Sequence, residues 1–240
     1  MRSQGVFFLS KRNNSAGEAL RHSQNFLTSA RVMRRIVGLA NLNETDHVVE
    51  IGPGKGHITG QLLTRCGRVT AMELDPKLCA YLHTKFSGEP KLRLVRGDFL
   101  NWPLPRGAYK VFANIPFNRT TDIVRRLTQG LRTPIEMWLV MEKGAAKRFL
   151  GHPHETLASL GLKPWFEGEV VYHFRREDFH PMPAVDVVLL HMKRRPAADI
   201  APAQRGAWMR FAAARLPTTR DTLYIQWLCL FRRWWERGGR

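Results

Sequence analysis

The chain has 240 residues, of which 44% are hydrophobic, enough to bury a core in one medium domain with at most a small appendage. No apolar run is long enough to cross a bilayer, and the three cysteines form no CxxC or metal-binding pattern. We therefore expect a cytoplasmic protein with reduced thiols and no membrane association. The net charge of +18 and the pI near 10.8 favour a polyanionic partner, nucleic acid rather than a membrane surface.

The first half of the chain reads as an arm, a helix and then alternating strands and helices. Residues 1–20 are polar, small and basic and predict a mobile arm. Apolar residues recur at helical spacing over 28–40, with Thr28 or Ser29 as the cap. The alternation that follows predicts an open parallel sheet covered by helices. Strands are predicted at 47–51, 68–73, 92–95, 109–113 and 135–141, and helices around Ile58, Leu62 and Leu63 and at 76–86, 121–131 and 143–151.

The pattern changes in the last third of the chain. Strands at 167–174 and 186–194, separated by a proline-containing loop, predict an antiparallel hairpin added to the sheet. Beyond that point no strand pattern remains, and the tail carries ten arginines, three acidic residues and four tryptophans. We therefore predict a sheet domain over 21–193 and a small helical domain over 194–240.

Three neighbouring strands of this sheet end in residues that suit an adenosine cofactor. The turn after the first strand carries Gly52 and Gly54, which let the backbone bend sharply and approach a ligand closely. Glu73 ends the second strand, where a carboxylate can accept hydrogen bonds from both ribose hydroxyls. Asp98 follows the third strand and can accept from an adenine amino group, with Phe99 beside the ring. Since ligands of open α/β sheets lie outside the carboxyl ends of the strands, these residues predict one pocket.

The fourth strand ends in the sequence Asn-Ile-Pro-Phe at 114–117. The glycine spacing is GxGxG rather than GxGxxG, and together with the acid after the third strand and this turn it favours S-adenosylmethionine over NAD. The exocyclic nitrogen of adenine is a poor nucleophile, because its lone pair is delocalised into the ring. Two fixed hydrogen-bond acceptors would favour the more tetrahedral geometry that this nitrogen needs to take a methyl group.

The turn carries groups that can do this. Asn114 can supply its side-chain oxygen, and Ile115 or Pro116 a backbone carbonyl. Pro116 restricts the turn that aims them, and Phe117 offers a face on which a flipped base can stack. No general base is needed before transfer, because the amine becomes strongly acidic only after methylation. We therefore predict catalysis by positioning and electrostatics.

The motifs together resemble the Erm family of rRNA adenine-N6 methyltransferases over roughly 21–193. This resemblance implies a Rossmann-like class I S-adenosylmethionine-dependent methyltransferase fold with a mostly parallel sheet, a terminal antiparallel hairpin and a small C-terminal helical domain. It also implies methylation of one adenine in the peptidyl-transferase region of 23S rRNA, which blocks macrolide, lincosamide and streptogramin B antibiotics. The motifs are SQNFL (23–27), EIGPGKG (50–56), ELD (73–75), GDF (97–99), NIPF (114–117) and FHPMPAV (179–185).

The resemblance also implies roles for particular residues. Asn25 and Leu27 flank the methionine part of the cofactor, and Asn114 lies between the cofactor and the target amine. Phe179, in the loop near the target base, is a candidate second stacking wall. The implied partner is 23S rRNA, methylated by a monomer before or during large-subunit assembly. The remaining cofactor residues are those of the predicted pocket, Gly52, Gly54, Glu73, Asp98 and Phe99.

Other functions remain as alternatives. The small-subunit rRNA adenine dimethyltransferases have a similar site, but Ile115, Phe117 and the short tail favour Erm. DNA adenine and protein glutamine methyltransferases more often have proline at the second position of the turn. A non-catalytic RNA-binding factor with this fold should have lost the glycines, Glu73 or Asn114, all of which are present. The histidines show no metal-ligand spacing, and we predict no metal.

Overall fold

The computed structural model describes residues 25–218 and 221–239. The predicted arm over 1–20 and the first two residues of the SQNFL motif lie outside the described residues. The strands of the described chain are β1 (Phe26–Leu27), β2 (His47–Ile51), β3 (Arg68–Glu73), β4 (Leu92–Arg96), β5 (Lys110–Asn114), β6 (Glu136–Glu142), β7 (Phe166–His173), β8 (Phe179–His180) and β9 (Val187–Arg194). The α-helices are α1 (Ala30–Gly38), α2 (His57–Leu63), α3 (Pro76–Lys85), α4 (Thr120–Thr128), α5 (Lys143–Leu150), α6 (Leu157–Leu160), α7 (Arg205–Arg215) and α8 (Tyr224–Glu236). None of these helices is long and apolar enough to cross a membrane.

Seven strands form one sheet in the order β4-β3-β2-β5-β6-β9-β7. The pairs from β4 to β6 are parallel, whereas β9 runs antiparallel to both β6 and β7. The predicted parallel sheet with a terminal antiparallel hairpin is therefore confirmed. Its topology brings the carboxyl ends of β2, β3, β4 and β5 to one edge of the sheet, where the predicted cofactor residues and the NIPF turn are found.

Side-chain caps fix where two of the helices begin. The Ser29 side chain accepts the backbone N–H of Val32 at 3.3 Å, so Ser29 is the cap of α1. Helix α3 begins with Pro76 at a position where no backbone N–H is needed. Asp75 precedes it and accepts the N–H of Lys77 at 2.7 Å. Because Asp75 lies two residues after Glu73, the last residue of β3, this cap holds the turn beside the predicted ribose site.

The sheet is buried on both faces. Alternate residues of the central strands point to opposite sides. Val49 and Val111 belong to one hydrophobic cluster, and Val48 and Phe112 to another. A sheet buried in this way keeps its strands fixed, so the loops at its carboxyl edge are carried on a rigid frame.

The Arg- and Trp-rich tail is helical, as predicted, and four of its aromatic side chains are buried. Trp208, Phe211, Trp227 and Phe231 belong to the same hydrophobic cluster as the strand residues on one face of the sheet. The indole N–H of Trp208 donates to the backbone oxygen of Leu160 at 2.7 Å. The tail therefore shares a core with the rest of the chain, and the domain boundary at 194 stays a prediction.

Candidate active site

The predicted site residues lie around the carboxyl edge of the sheet. Three cavities open there, of about 330, 70 and 30 Å³, and all three are lined in part by Gly52. Apart from Phe179, every predicted site residue lines at least one of them. These residues are Asn25, Leu27, Gly52, Gly54, Glu73, Asp98, Phe99, Asn114, Ile115, Pro116 and Phe117.

The glycine turn after β2 has a backbone that other residues adopt with strain. Gly52 has φ +68° and Gly54 has φ +58°, both in the left-handed region. A Cβ on Gly54 would lie 3.0 Å from the ring of Phe26. The turn therefore needs glycine both for its conformation and for the close approach of β1, and its backbone can lie directly against a ligand.

Glu73 is almost fully buried, at 2% exposure, at the end of β3. One carboxylate oxygen accepts the N–H of Gly54 at 3.0 Å, and the other accepts the N–H of Asp75 at 2.9 Å. Burial raises the pKa of Glu73, and these backbone hydrogen bonds oppose the rise. Glu73 thus ties the glycine turn to the start of α3, and its carboxylate keeps acceptor capacity toward the two cavities that it lines.

The cavity of about 70 Å³, next to the end of β4, is lined by the acidic residue Asp98 and by apolar side chains. Asp98 accepts the N–H of Leu100 at 2.9 Å through one oxygen, and its other oxygen lies 3.6 Å from the guanidinium of Arg119. Phe99 is 5% exposed and Met72 is 2% exposed, and both line the cavity. An apolar slot with a hydrogen-bond acceptor in its wall suits a purine ring.

Asn114, at the end of β5, is held by a residue far away in sequence. Its amide nitrogen donates to the backbone oxygen of Asn25 at 2.8 Å. This bond fixes the orientation of the amide, since only the nitrogen can donate. The side-chain oxygen remains as an acceptor at the edge of two cavities, of about 330 and 30 Å³.

The backbone carbonyls of the NIPF turn are not equivalent. The Pro116 oxygen accepts the N–H of Arg119 at 2.9 Å, and the Phe117 oxygen accepts the hydroxyl of Thr120 at 3.0 Å. These bonds build the short turn that leads into α4. Of the two carbonyls considered as a second acceptor, that of Ile115 is therefore the better candidate.

Phe179 is placed where the predicted stacking role does not fit. β1 and β8 pair antiparallel, with Leu27 opposite Phe179. Phe179 is 4% exposed, and its ring packs edge-on against Phe174 at a centroid distance of 5.2 Å. A ring so buried has no face open to a base, so the expected second stacking wall is corrected to a core residue. Leu27 lines the larger cavity, as expected of a residue near the ligand.

Two residues near the site were missed in the sequence. Arg119 lies two residues after the NIPF turn, and in a chain with 38 lysines and arginines a single basic residue gives no distinct signal. Glu50 is 2% exposed within β2, and its Oε2 forms no hydrogen bond to the described residues. Burial raises the pKa of Glu50 to about 8, and the charge of Glu73 adds to the rise. An acid inside the otherwise apolar strand HVVEI was the available signal.

No group of three or more His, Cys, Asp or Glu suited to a metal occurs in the described ranges.

The buried Glu50 predicts a pH-dependent stability. In the folded state the Glu50 carboxyl stays protonated up to about pH 8, whereas in the unfolded chain it ionises near pH 4.5. Between these pH values the folded state therefore binds one more proton than the unfolded state. The free energy of unfolding should therefore fall, by on the order of 2–4 kcal/mol, as the pH rises from about 5 to about 8. Glu50→Gln should remove most of this fall, whereas the exposed Glu177→Gln should not. Urea unfolding across this range checks both; an equal fall in wild type and Glu50→Gln would contradict the assignment.

The site fits a cofactor that contains an adenosine and a short chain. The glycines in the left-handed region allow close backbone approach, Glu73 and Asp98 offer acceptors on neighbouring strands, and the apolar slot suits a purine. With the parallel sheet and its terminal antiparallel hairpin, these features define a class I S-adenosylmethionine-dependent methyltransferase.

Comparison with known proteins identifies the family. Residues 18–220 match the family model described as ribosomal RNA adenine dimethylase. An rRNA adenine N-6-methyltransferase from Limosilactobacillus reuteri is 38% identical over 179 residues, which are 74% of this chain and 72% of the relative. The chain therefore belongs to the ribosomal RNA adenine dimethylase family, and the resemblance to Erm is confirmed. It is an S-adenosylmethionine-dependent rRNA adenine-N6-methyltransferase.

Two further relatives come from the two branches considered above. The crystal structure of the 23S rRNA methyltransferase ErmE matches with a TM-score of 0.75 and 26% identity, covering 87% of this chain and 99% of that one. A ribosomal RNA small subunit methyltransferase A from Chlorobium luteolum is 30% identical over 208 residues, which are 84% of this chain and 74% of the relative.

Proposed function

We propose that the enzyme transfers a methyl group from S-adenosylmethionine to the N6 amine of a flipped adenine in 23S rRNA, and so confers resistance to macrolide, lincosamide and streptogramin B antibiotics. The observation that carries the chemistry is the 2.8 Å bond from the Asn114 amide to the Asn25 carbonyl, which leaves the side-chain oxygen as a fixed acceptor. The enzyme acts as a monomer in the cytoplasm, on rRNA before or during large-subunit assembly.

The cofactor side of the mechanism uses residues at the ends of three strands, β2, β3 and β4, and at β1. Asn25 and Leu27 flank the methionine portion, and the backbones of Gly52 and Gly54 lie against it. The free lone pairs of Glu73 accept the ribose hydroxyls. The adenine ring lies in the apolar slot, with its amino group at Asp98 and its face beside Phe99. When bound, the cofactor supplies an electrophilic methyl group on a sulfonium.

The target adenine is activated by orientation. The side-chain oxygen of Asn114 and the backbone oxygen of Ile115 accept the two N6 hydrogens, which favours a tetrahedral nitrogen with its lone pair aimed at the methyl group. Phe117 is half-buried at the rim of the same cavity as Asn114, so one part of its ring contacts the core and another part can support a base. Solvent takes the proton after transfer, because the methylated amine is strongly acidic.

The choice of the large-subunit RNA rests on similarity. The 23S rRNA methyltransferase ErmE is matched over 87% of this chain and 99% of its own length, with a TM-score of 0.75. The experiment is methyl transfer from labelled cofactor to separate 23S and 16S transcripts, followed by mapping of the modified base. Label at one adenine of 23S supports the proposal. Label in 16S alone would assign the enzyme to the small-subunit branch.

Phe117 offers a test of base stacking. Phe117→Ala should lower methyl-transfer efficiency by roughly 5- to 150-fold, which corresponds to the loss of about 1–3 kcal/mol of stacking on one base. Phe117→Tyr should keep most of the activity, because it keeps a planar face. The measurement is kcat/KM for RNA, with cofactor affinity and thermal stability measured on the same variants. A folded, cofactor-binding Phe117→Ala with full activity would rule out the stacking role.

A further inference from the structure

The edge of the sheet opposite the active site carries a cleft of about 500 Å³. His47 and Arg68 are the first residues of β2 and β3, and both line it, so the cleft opens at the amino ends of the strands. Thr70 is the residue of β3 that lines the cleft nearest to Glu73, and the three residue steps between them span roughly 10 Å, at about 3.3 Å per residue. No residue that lines the cleft lines any of the three active-site cavities. The cleft is therefore outside the methyl-transfer site.

The walls of this cleft are strongly basic. Arg68, Arg93, Arg106 and Arg132 line it, and all four are exposed. Among the described residues, no carboxylate lies within ion-pair distance of any of these four guanidinium groups. Asp46, the acid that precedes His47, is instead paired with Lys110 at 2.9 Å. The cleft thus gathers positive charge that is not neutralised by the protein.

One wall of the cleft is held in place by hydrogen bonds from its own neighbours. The loop over 102–107 contains two prolines, which restrict its backbone. Arg126 donates to the Trp102 carbonyl at 2.9 Å, and Arg132 donates to the Leu104 carbonyl at 3.3 Å. The half-buried Trp102 lines the cleft beside the arginines. The wall formed by this loop is therefore preorganised by contacts within the protein.

We propose that this cleft is a second RNA-binding site, which takes the phosphodiester backbone of a segment of the rRNA next to the one that presents the target adenine. The inference rests on the rRNA substrate of the proposed function and adds the surface that grips it. Unpaired arginines are suited to phosphate, and such contacts add affinity and position the RNA without reading its sequence. The alternative ligand of such a basic cleft is an acidic protein surface, and the following experiment distinguishes it from RNA.

The test is the triple variant Arg68→Gln/Arg93→Gln/Arg106→Gln, with Arg132 left in place because it holds the loop. The log–log salt dependence of binding to the 23S transcript should become shallower by about 3, one unit for each lost phosphate contact. KM for this transcript should rise roughly 10- to 100-fold at moderate salt, with kcat unchanged. Cofactor affinity by calorimetry and the thermal midpoint should match wild type.

The matched control is Arg125→Gln/Arg210→Gln/Arg232→Gln, which removes the same charge from exposed arginines on three helices. An equal loss in both variants overturns the proposal, because net charge alone would then explain the effect. A short hairpin carrying the target adenine should show no difference between the cleft variant and wild type, since it cannot reach the opposite edge. Unchanged RNA binding by the cleft variant would leave an acidic protein as the partner and also overturn the proposal. If the wild-type enzyme methylates only 16S rRNA, the proposed function is wrong. RNA binding by the cleft variant and by its matched control is then compared on the 16S transcript, which tests the cleft separately.

Discussion

We expect Asn114→Ala to lower the rate of methyl transfer by about 10²–10³-fold, the loss typical of removing one fixed polar group from a transition state. The variant loses the side-chain oxygen that orients the target amine. It also loses the 2.8 Å bond to Asn25, which should cost only about 1 kcal/mol of stability. Single-turnover rates at saturating cofactor and RNA measure the effect on chemistry, and calorimetry measures cofactor binding separately.

The companion variant is Asn114→Asp. It keeps an acceptor oxygen but lacks the N–H that bonds to Asn25, and it sets a carboxylate against that carbonyl. We expect it to be slow as well, because the acceptor is no longer held in place. If Asn114→Ala is folded, binds cofactor and transfers methyl groups at the wild-type rate, Asn114 is not the acceptor. A wild-type rate for Asn114→Asp would show instead that the bond to Asn25 is not needed to hold the acceptor in place.

The second large effect concerns the C-terminal tail. Trp208 is fully buried, lies edge-on to Phe231 at 5.3 Å and donates to the Leu160 carbonyl. Trp208→Ala should lower the free energy of unfolding by about 3–5 kcal/mol. Trp235, on the same tail, is 40% exposed, so Trp235→Ala should change it by no more than about 0.5 kcal/mol. Urea unfolding of both variants provides the comparison.

The shape of the transition tests the domain boundary. Because the tail and the sheet share one hydrophobic cluster, we expect Trp208→Ala to shift a single cooperative transition for the whole chain. Two separate transitions, with the sheet unfolding at its wild-type midpoint, would instead support an independent domain over 194–240.

The strands could be predicted because their signals are local. The runs at 47–51 and 68–73 are mostly apolar, and a glycine directly follows the first run and directly precedes the second. The structure reproduces both ranges. The helix predicted over 121–131 ends at Thr128 in the structure. The predicted range was too long because the apolar spacing continues to Leu131, which is fully exposed. The glycines and acids at the strand ends could therefore be placed at one edge of the sheet from the sequence, and their roles toward the cofactor stay predictions.

What could not be predicted depends on contacts between distant residues. The pair β1–β8 has two residues in each strand, too few to show a period, and this pair turns Phe179 into the core. The bond between Asn25 and Asn114 joins residues 89 positions apart. The choice of Ile115 over Pro116 as acceptor depends on which carbonyl the Arg119 amide uses. Side-chain directions in loops and long-range partners are set by packing rather than by local pattern.

The most direct test of the account is the chemical identity of the product. RNA methylated by the enzyme with labelled S-adenosylmethionine is digested to nucleosides, which are separated and identified by mass spectrometry. The account predicts that all enzyme-dependent label is in N6-methyladenosine or N6,N6-dimethyladenosine, and that it is strongly reduced with Asn114→Ala. Label on a ring nitrogen or carbon of adenine, on ribose or on another base would contradict it.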